Sequence, residues 1–227
     1  MITAVLFDLD GTLLDHETAS GEAIAATFPD TDPAWLVPRW AQLTDEAVER
    51  YLAGELGFVE QRRFRMVALA RELGLGDWDD ARADARLAGY VARYKAGWRP
   101  FPDAEPALDA LAARGLRLGV VTNGDAAQQH SKIEGIGFAD RLPVVVASSE
   151  AGSAKPAAGI FLAACEALGT EPHAAAYVGD RLVTDARGAA AAGLTGVWLD
   201  RSGGPEPSAL DVPRITTLAA LPPLLAD

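Results

Sequence analysis

Apolar positions fall into two textures along the chain. Short apolar runs occur at Ile2–Phe7, Leu116–Val121, Leu142–Ala147, Ala175–Val178 and Gly196–Asp200, with a fainter one at Arg214–Thr216. Runs of this length, rich in β-branched residues, predict strands buried on both faces of a parallel sheet. Between them, helical spacing marks Ala104–Arg114, opened by Asp103, and Ile160–Leu168, while Ala186–Ala192 is rich in alanine, a strong helix former. Residues 18–95 read differently. Glu46–Ala53, Arg62–Leu73 and Ala81–Tyr94 carry helix-period apolar residues with charged intervals, Gly74 and Gly76 punctuate them, and strand-like alternation is missing. Pro29, Pro33 and Pro38 are expected to break the early part of this block into short pieces. Gly97-Trp98-Arg99-Pro100-Phe101-Pro102 reads as a linker back to strand–helix alternation. The pattern predicts an α/β protein with a doubly wound, Rossmann-like, mostly parallel sheet. Residues 1–17 and 98–227 would form that core, with right-handed crossovers putting helices on both faces. Residues 18–97 would form an inserted helical subdomain.

Composition narrows the class. A chain of 227 residues has room for one sizeable core plus an insert, and 49% hydrophobic residues fit a packed protein, not a disordered one. A formal net charge of −12 argues against nucleic acid and anionic membrane surfaces as partners. The single cysteine, Cys165, excludes an internal disulfide and, inside the apolar helix, is expected to be an inert core thiol. Ile2–Leu6 is too short for a signal or spanning segment, and no longer uncharged apolar run follows. A cytoplasmic location, as a monomer or weak homodimer, is the expectation.

Candidate chemistry collects at predicted strand ends, where open α/β sheets bind ligands. Asp8-Leu9-Asp10-Gly11-Thr12 follows the first strand. Carboxylates at i and i+2 on a strand point to one face, and such a like-charge pair asks for a cation. Mg2+, which takes carboxylate and carbonyl oxygens, fits. Gly11 permits a tight turn beside a ligand, and the Thr12 hydroxyl can brace it. An acidic turn leading into the next segment is the competing structural reading. Thr122-Asn123-Gly124 offers a hydroxyl and backbone N–H groups suited to phosphate, or a plain helix cap. Lys155 precedes Pro156, which fits the first turn of the next helix, so the lysine would sit at a defined point or simply be a solvated charge. Gly179-Asp180 closes another strand; Asp185 follows near a helix start, where an acidic residue also suits the helix dipole.

Taken in order, Asp8-x-Asp10-Gly11-Thr12, Thr122-Asn123, Lys155 and Gly179-Asp180 with Asp185 resemble the four motifs of the haloacid dehalogenase (HAD) superfamily of phosphotransferases. The long helical block between the first two motifs resembles the branch with an α-helical cap. The resemblance implies Mg2+-dependent hydrolysis of a small phosphate monoester, such as a sugar phosphate or nucleotide. Asp8 would be the nucleophile, forming an aspartyl phosphate, and Asp10 the general acid and base. Asp8, the Asp10 carbonyl and Asp180 would hold Mg2+. Thr122, Asn123 and Lys155 would grip the phosphate, helped by the backbone N–H groups of Leu9, Asp10 and Asn123. Asp185 would orient Lys155 or a metal-bound water. Asp10 and Asp180 argue against dehalogenation, which needs neither acid nor metal. A phosphomutase using the same core, or a phospho-ligand binding protein without turnover, are the alternatives.

One departure stands out: Arg181 follows Asp180 where a small residue is common, and is expected in an exposed salt bridge. Substrate-facing candidates in the helical block are His16, Trp35, Trp40, Arg62, Arg63 and Arg65. Core packing is the simpler expectation for the aromatics, and a solvated helix face for the arginines. His130 and His173 are expected at the surface.

Overall fold

The computed structural model describes residues 1–205 and 209–226. Six parallel strands form one sheet: β1 (Ala4–Phe7), β2 (Arg117–Thr122), β3 (Val144–Ala147), β4 (Ala175–Gly179), β5 (Thr195–Leu199) and β6 (Arg214–Ile215). Their spatial order is β3-β2-β1-β4-β5-β6. This is a doubly wound arrangement whose order reverses at β1, so the ligand-binding crevice belongs outside the carboxyl ends of β1 and its neighbours. The predicted strands are all present, with ends that differ from the expectation by at most two residues. Phe7 pairs with Val120 of β2 and Val178 of β4, which brings the residues just past all three strands to one end of the sheet.

The chain divides into two compact units, one of Met1–Asp15 with Arg99–Asp227 and one of His16–Trp98. The second begins with a helix at His16, two residues before the expected boundary. In the first unit, β1, β4 and all of β2 after Arg117 are buried. One face of the sheet packs Leu6, Val121 and Tyr177 against Ile160, Phe161 and Cys165. Helices here are α5 (Ala104–Ala113), α6 (Ala126–Gly135), α7 (Ser148–Ala151), α8 (Ala158–Ala167), α9 (Gly188–Ala191) and α10 (Leu221–Leu224). Cys165 is buried, which raises its thiol pKa and fits an inert role.

The second unit contains the helices that precede these in the chain, α1 (His16–Thr27), α2 (Pro33–Leu52), α3 (Phe58–Glu72) and α4 (Asp80–Ala96), with α1 packed on α4 and α2 on α3. The prolines do not fragment it as expected. Pro33 takes the first position of α2, behind an Asp32 side chain that accepts from Ala34 N, and Pro38 lies inside the helix. The loss of one backbone hydrogen bond there is outweighed by an apolar stripe that runs through in register, Leu36, Trp40, Leu43 and Ala47. Trp40 Nε1 donates to Tyr90 Oη at 3.1 Å, anchoring that stripe to α4.

Candidate active site

Asp8 follows β1 directly, and its backbone N–H still donates to Val178 O at 2.9 Å. Its carboxylate is buried, and Lys155 Nζ lies 2.6 Å from its Oδ1. The same ammonium donates to Asp185 Oδ1 at 2.7 Å and to Tyr177 Oη at 2.8 Å. Asp185 is completed by Tyr177 Oη at 3.0 Å from Oδ1 and by Arg181 N at 2.9 Å from Oδ2. It sits in a single turn of π-helix, Leu182–Arg187, not in the Ala-rich helix proper, and this wider turn puts its carboxylate inward, 1% exposed. Asp8, Asp180 and Asp185 each bring a carboxylate oxygen within 4.8 Å of the others.

Two glycines make that approach feasible. Gly11 has φ of +86°, and a Cβ there would stand 2.5 Å from Asp180 Oδ2. At Gly179 a Cβ would stand 2.5 Å from Asp185 Cγ. Only residues lacking a side chain fit these two places.

The charges are unbalanced. With all three carboxylates ionised beside one buried ammonium, two negative charges would remain, the complement of one divalent cation. Burial, reinforced by Asp185 and Asp180, pushes the Asp8 carboxyl up to about 8 against the pull of Lys155. Burial and Asp185 push Asp180 up to about 6. Burial alone would lower the Lys155 pKa, but Asp185 and Asp8 outweigh it and hold the ammonium charged. Hard carboxylate oxygens in excess negative charge, with Asp180 let in by Gly11, suit Mg2+.

Asp10 does not join this cluster. The i, i+2 spacing does not put the two carboxylates side by side, because strand alternation ends at Phe7 and Asp10 lies in the following turn. Its Oδ2 instead meets Lys132 Nζ at 2.5 Å and Gln129 Nε2 at 3.3 Å. Each carboxylate of the pair thus has its own lysine.

Thr122 ends β2, its Oγ1 accepting from Gln129 Nε2 at 2.5 Å, which leaves the hydroxyl proton to donate elsewhere. The Asn123 side chain is occupied with the lysine loop: Oδ1 accepts from Lys155 N at 2.8 Å and Nδ2 donates to Lys155 O at 3.0 Å. This exchange ties the Asn123 side chain to the backbone of Lys155. Thr12 Oγ1 is buried without a hydrogen bond among the described residues, so the expected hydroxyl brace is missing. Arg201 takes that part, donating to Gly11 O at 3.2 Å and Thr12 O at 2.8 Å. Pro156 falls before α8, not in its first turn, and its ring packs where a Cβ on Gly188 would be, 2.9 Å away.

Sequence reasoning missed Tyr177, Gln129, Lys132 and Arg201. Tyr177 could have been noticed as a hydroxyl inside an otherwise apolar strand. Gln129 and Lys132 are polar residues on the buried stripe of α6, at i and i+3. Arg201 carries no local signal.

In the helical unit, Trp40 is buried as expected, but Trp35 is 44% exposed. Arg63 pairs with Asp80 and Asp84, and Arg62 lies over the Phe58 ring. Arg65 departs from a solvated face: it is buried, stacks on Trp40 at 4.9 Å and donates to Thr44 Oγ1. His16 is half-buried at the start of α1; His130 and His173 are exposed. No helix among the described residues is long and apolar enough to cross a membrane.

A doubly wound sheet with a carboxylate cluster and a buried lysine at its switch point defines an α/β protein whose candidate ligand site lies at the strand ends. The chain belongs to the haloacid dehalogenase-like hydrolases, whose family model matches residues 2–193. It is 36% identical over 213 residues to the phosphoglycolate phosphatase of Rhodospirillum rubrum, covering 92% of this chain and 84% of that protein. It is 36% identical over 204 residues to the glyceraldehyde 3-phosphate phosphatase of Methanopyrus kandleri, covering 88% and 85%. Among solved structures, the magnesium-bound HAD-hydrolase YfnB of Bacillus subtilis shares the fold with a TM-score of 0.80 at 22% identity, over 100% of this chain and 99% of that one.

Proposed function

We propose that this protein hydrolyses a small phosphate monoester with Mg2+ as cofactor, through a phosphorylated Asp8. The observation that carries the reading is the setting of Asp8: a buried carboxylate at the carboxyl end of β1, gripped by Lys155 and flanked by Asp180 and Asp185. Asp8 attacks phosphorus in line, its new O–P bond forming as the bond to the ester oxygen breaks. Asp10 gives that leaving oxygen a proton. It then takes one from the water that attacks the aspartyl phosphate, releasing inorganic phosphate and restoring Asp8. Thr122 donates its free hydroxyl proton to a non-bridging oxygen, and Lys155 offsets the phosphate charge. Backbone N–H groups of Leu9, Asp10 and Asn123 add donors to the same cradle.

Asp8 and Asp180, with the carbonyl of Asp10, would hold Mg2+, which when bound supplies positive charge against the phosphoryl oxygens. Asp185 acts one step back: it fixes Lys155 and Tyr177 and is itself fixed by Arg181 N. The substrates of the two relatives, phosphoglycolate and glyceraldehyde 3-phosphate, head the panel on which the reading is tested. The expected outcome is phosphate release with Mg2+, none with EDTA, and a fall of at least about 1,000-fold in Asp8→Asn, as for loss of a nucleophile. Release that survives in Asp8→Asn would refute the phosphorylated-aspartate route.

A further inference from the structure

In the proposed reaction Asp10 moves a proton twice, so the setting of its carboxylate matters to both halves of the cycle. That setting is built by helix α6. Its buried residues are Ala126, Gln129, Lys132 and Ile133, so two polar side chains at i and i+3 occupy places where apolar ones would pack. A lysine normally carries its ammonium out to water along its stem. Lys132 is 3% exposed and ends 2.5 Å from Asp10 Oδ2. Gln129, 2% exposed, places Nε2 at 2.5 Å from Thr122 Oγ1, 3.3 Å from Asp10 Oδ2 and 3.4 Å from Asn123 O.

A buried ion pair contributes little to stability compared with apolar residues of the same volume. What it does supply here is a fixed place for a carboxylate in a turn. The base of α6 is itself anchored: Asp125 accepts from Gln128 N at 3.0 Å, Ser149 Oγ from Ala126 N at 2.9 Å and Ser148 Oγ from Gly124 N at 2.9 Å. The two donors therefore project from a held helix end onto one oxygen of Asp10, which directs a proton carried by Asp10 to its other oxygen, Oδ1.

We propose that Lys132 and Gln129 are positioning residues for Asp10, locking Oδ2 so that Oδ1 faces the leaving oxygen. This inference rests on the reading of Asp10 as the proton donor. Lys132 touches neither Asp8 nor the carboxylate cluster in any contact found among the described residues; it acts through Asp10.

The test compares leaving groups. The ratio kcat/KM covers every step up to departure of the leaving group, and p-nitrophenolate departs without a proton whereas an alkoxide does not. Lys132→Met is expected to lower kcat/KM on alkyl phosphates about 100-fold but on p-nitrophenyl phosphate less than about 5-fold, the gap expected for an impaired general acid. Lys132→Arg, which keeps the ion pair, should recover most of the loss. In an Asp10→Asn background, Lys132→Met should cost nothing further on alkyl phosphates, since the two changes strike one interaction. Equal losses on both leaving groups, no loss, or an additive loss in Asp10→Asn would overturn the positioning role. If Lys132→Met does not fold, Gln129→Met carries the test, because it removes one donor without stranding a buried charge. A selective loss supports the proposal there too, and an equal loss or none overturns it. Wild-type protein that releases phosphate from neither ester class would instead overturn the phosphatase reading itself.

Discussion

A methyl group on Gly11 would meet Asp180 at 2.5 Å from Oδ2 and 2.8 Å from Cγ, in a backbone with φ of +86° that side chains rarely adopt. Gly11→Ala should therefore displace Asp180 from Asp8 and weaken Mg2+ binding at least about 10-fold, the range seen when a ligand's support is removed. Titration calorimetry with Mg2+ measures this, and an unchanged affinity would show that Asp180 does not hold the metal. At this scale the strand-end residues Asp8, Thr122 and Asp180 were legible in the sequence as an ordered set at the ends of apolar runs, whereas a turn or a helix cap would account for Asp8 or Thr122 alone. Lys132 was not. One lysine among the polar residues of a ten-residue helix looks like any solvated charge until the helix face is known.

The loop carrying Asp8 to Thr12 is held by an element far along the chain. Arg201, just past β5, donates to Gly11 O and Thr12 O, pairs with both oxygens of Asp103 at 3.0 Å, and lies 3.7 Å over the Phe101 ring. Asp103 was expected to open α5, and it does precede it, yet its side chain caps nothing in that helix. It accepts instead from Arg201, Thr217 Oγ1 and Leu218 N. Burial raises the Asp103 pKa, but these hydrogen bonds, Arg201 first, bring it below the ordinary carboxylate value. A planar fork is what reaches four acceptor oxygens at once, so Arg201→Lys should not substitute for it. Loss of about 2 kcal/mol in urea unfolding is expected, as for hydrogen bonds to charged groups, together with a lower kcat. Retained stability and rate would show that the loop holds itself.

For the whole molecule, the carboxylate cluster links stability to pH and to metal. Without metal, Asp8 and Asp180 have folded-state pKa values of about 8 and about 6, above their ordinary 3.8. Raised carboxyl values mean that the folded state holds protons more tightly than the unfolded chain. Their contribution to stability is complete below the unfolded value and is lost as pH rises through 6 and then 8. Thermal unfolding in EDTA should therefore show Tm falling from pH 5 to pH 9, with a shallower fall in Asp8→Asn. Mg2+ needs the same carboxylates ionised, so the Tm increase it produces should grow over that interval. A metal-free Tm that rises with pH, or a Mg2+ effect larger at pH 5 than at pH 8, would contradict this account of the cluster.

Burial periodicity is a local property, written in neighbouring residues, and so the strands, the helical character of residues 18–95 and the strand-end position of the acidic motifs could be read from the chain alone. It also pointed to the family, since the order of those motifs along the chain is itself information. Which charges meet depends on the folded arrangement. The strand order β3-β2-β1-β4-β5-β6 brings Lys155 to Asp8 across 147 residues and Lys132 to Asp10 across 122. It divided two carboxylates that the i, i+2 spacing had seemed to pair, and it moved the bracing of Thr12 to Arg201. Electrostatic partnership depends on separations of about 3 Å between charged atoms, and chain spacing encodes no such distance once strand alternation has ended.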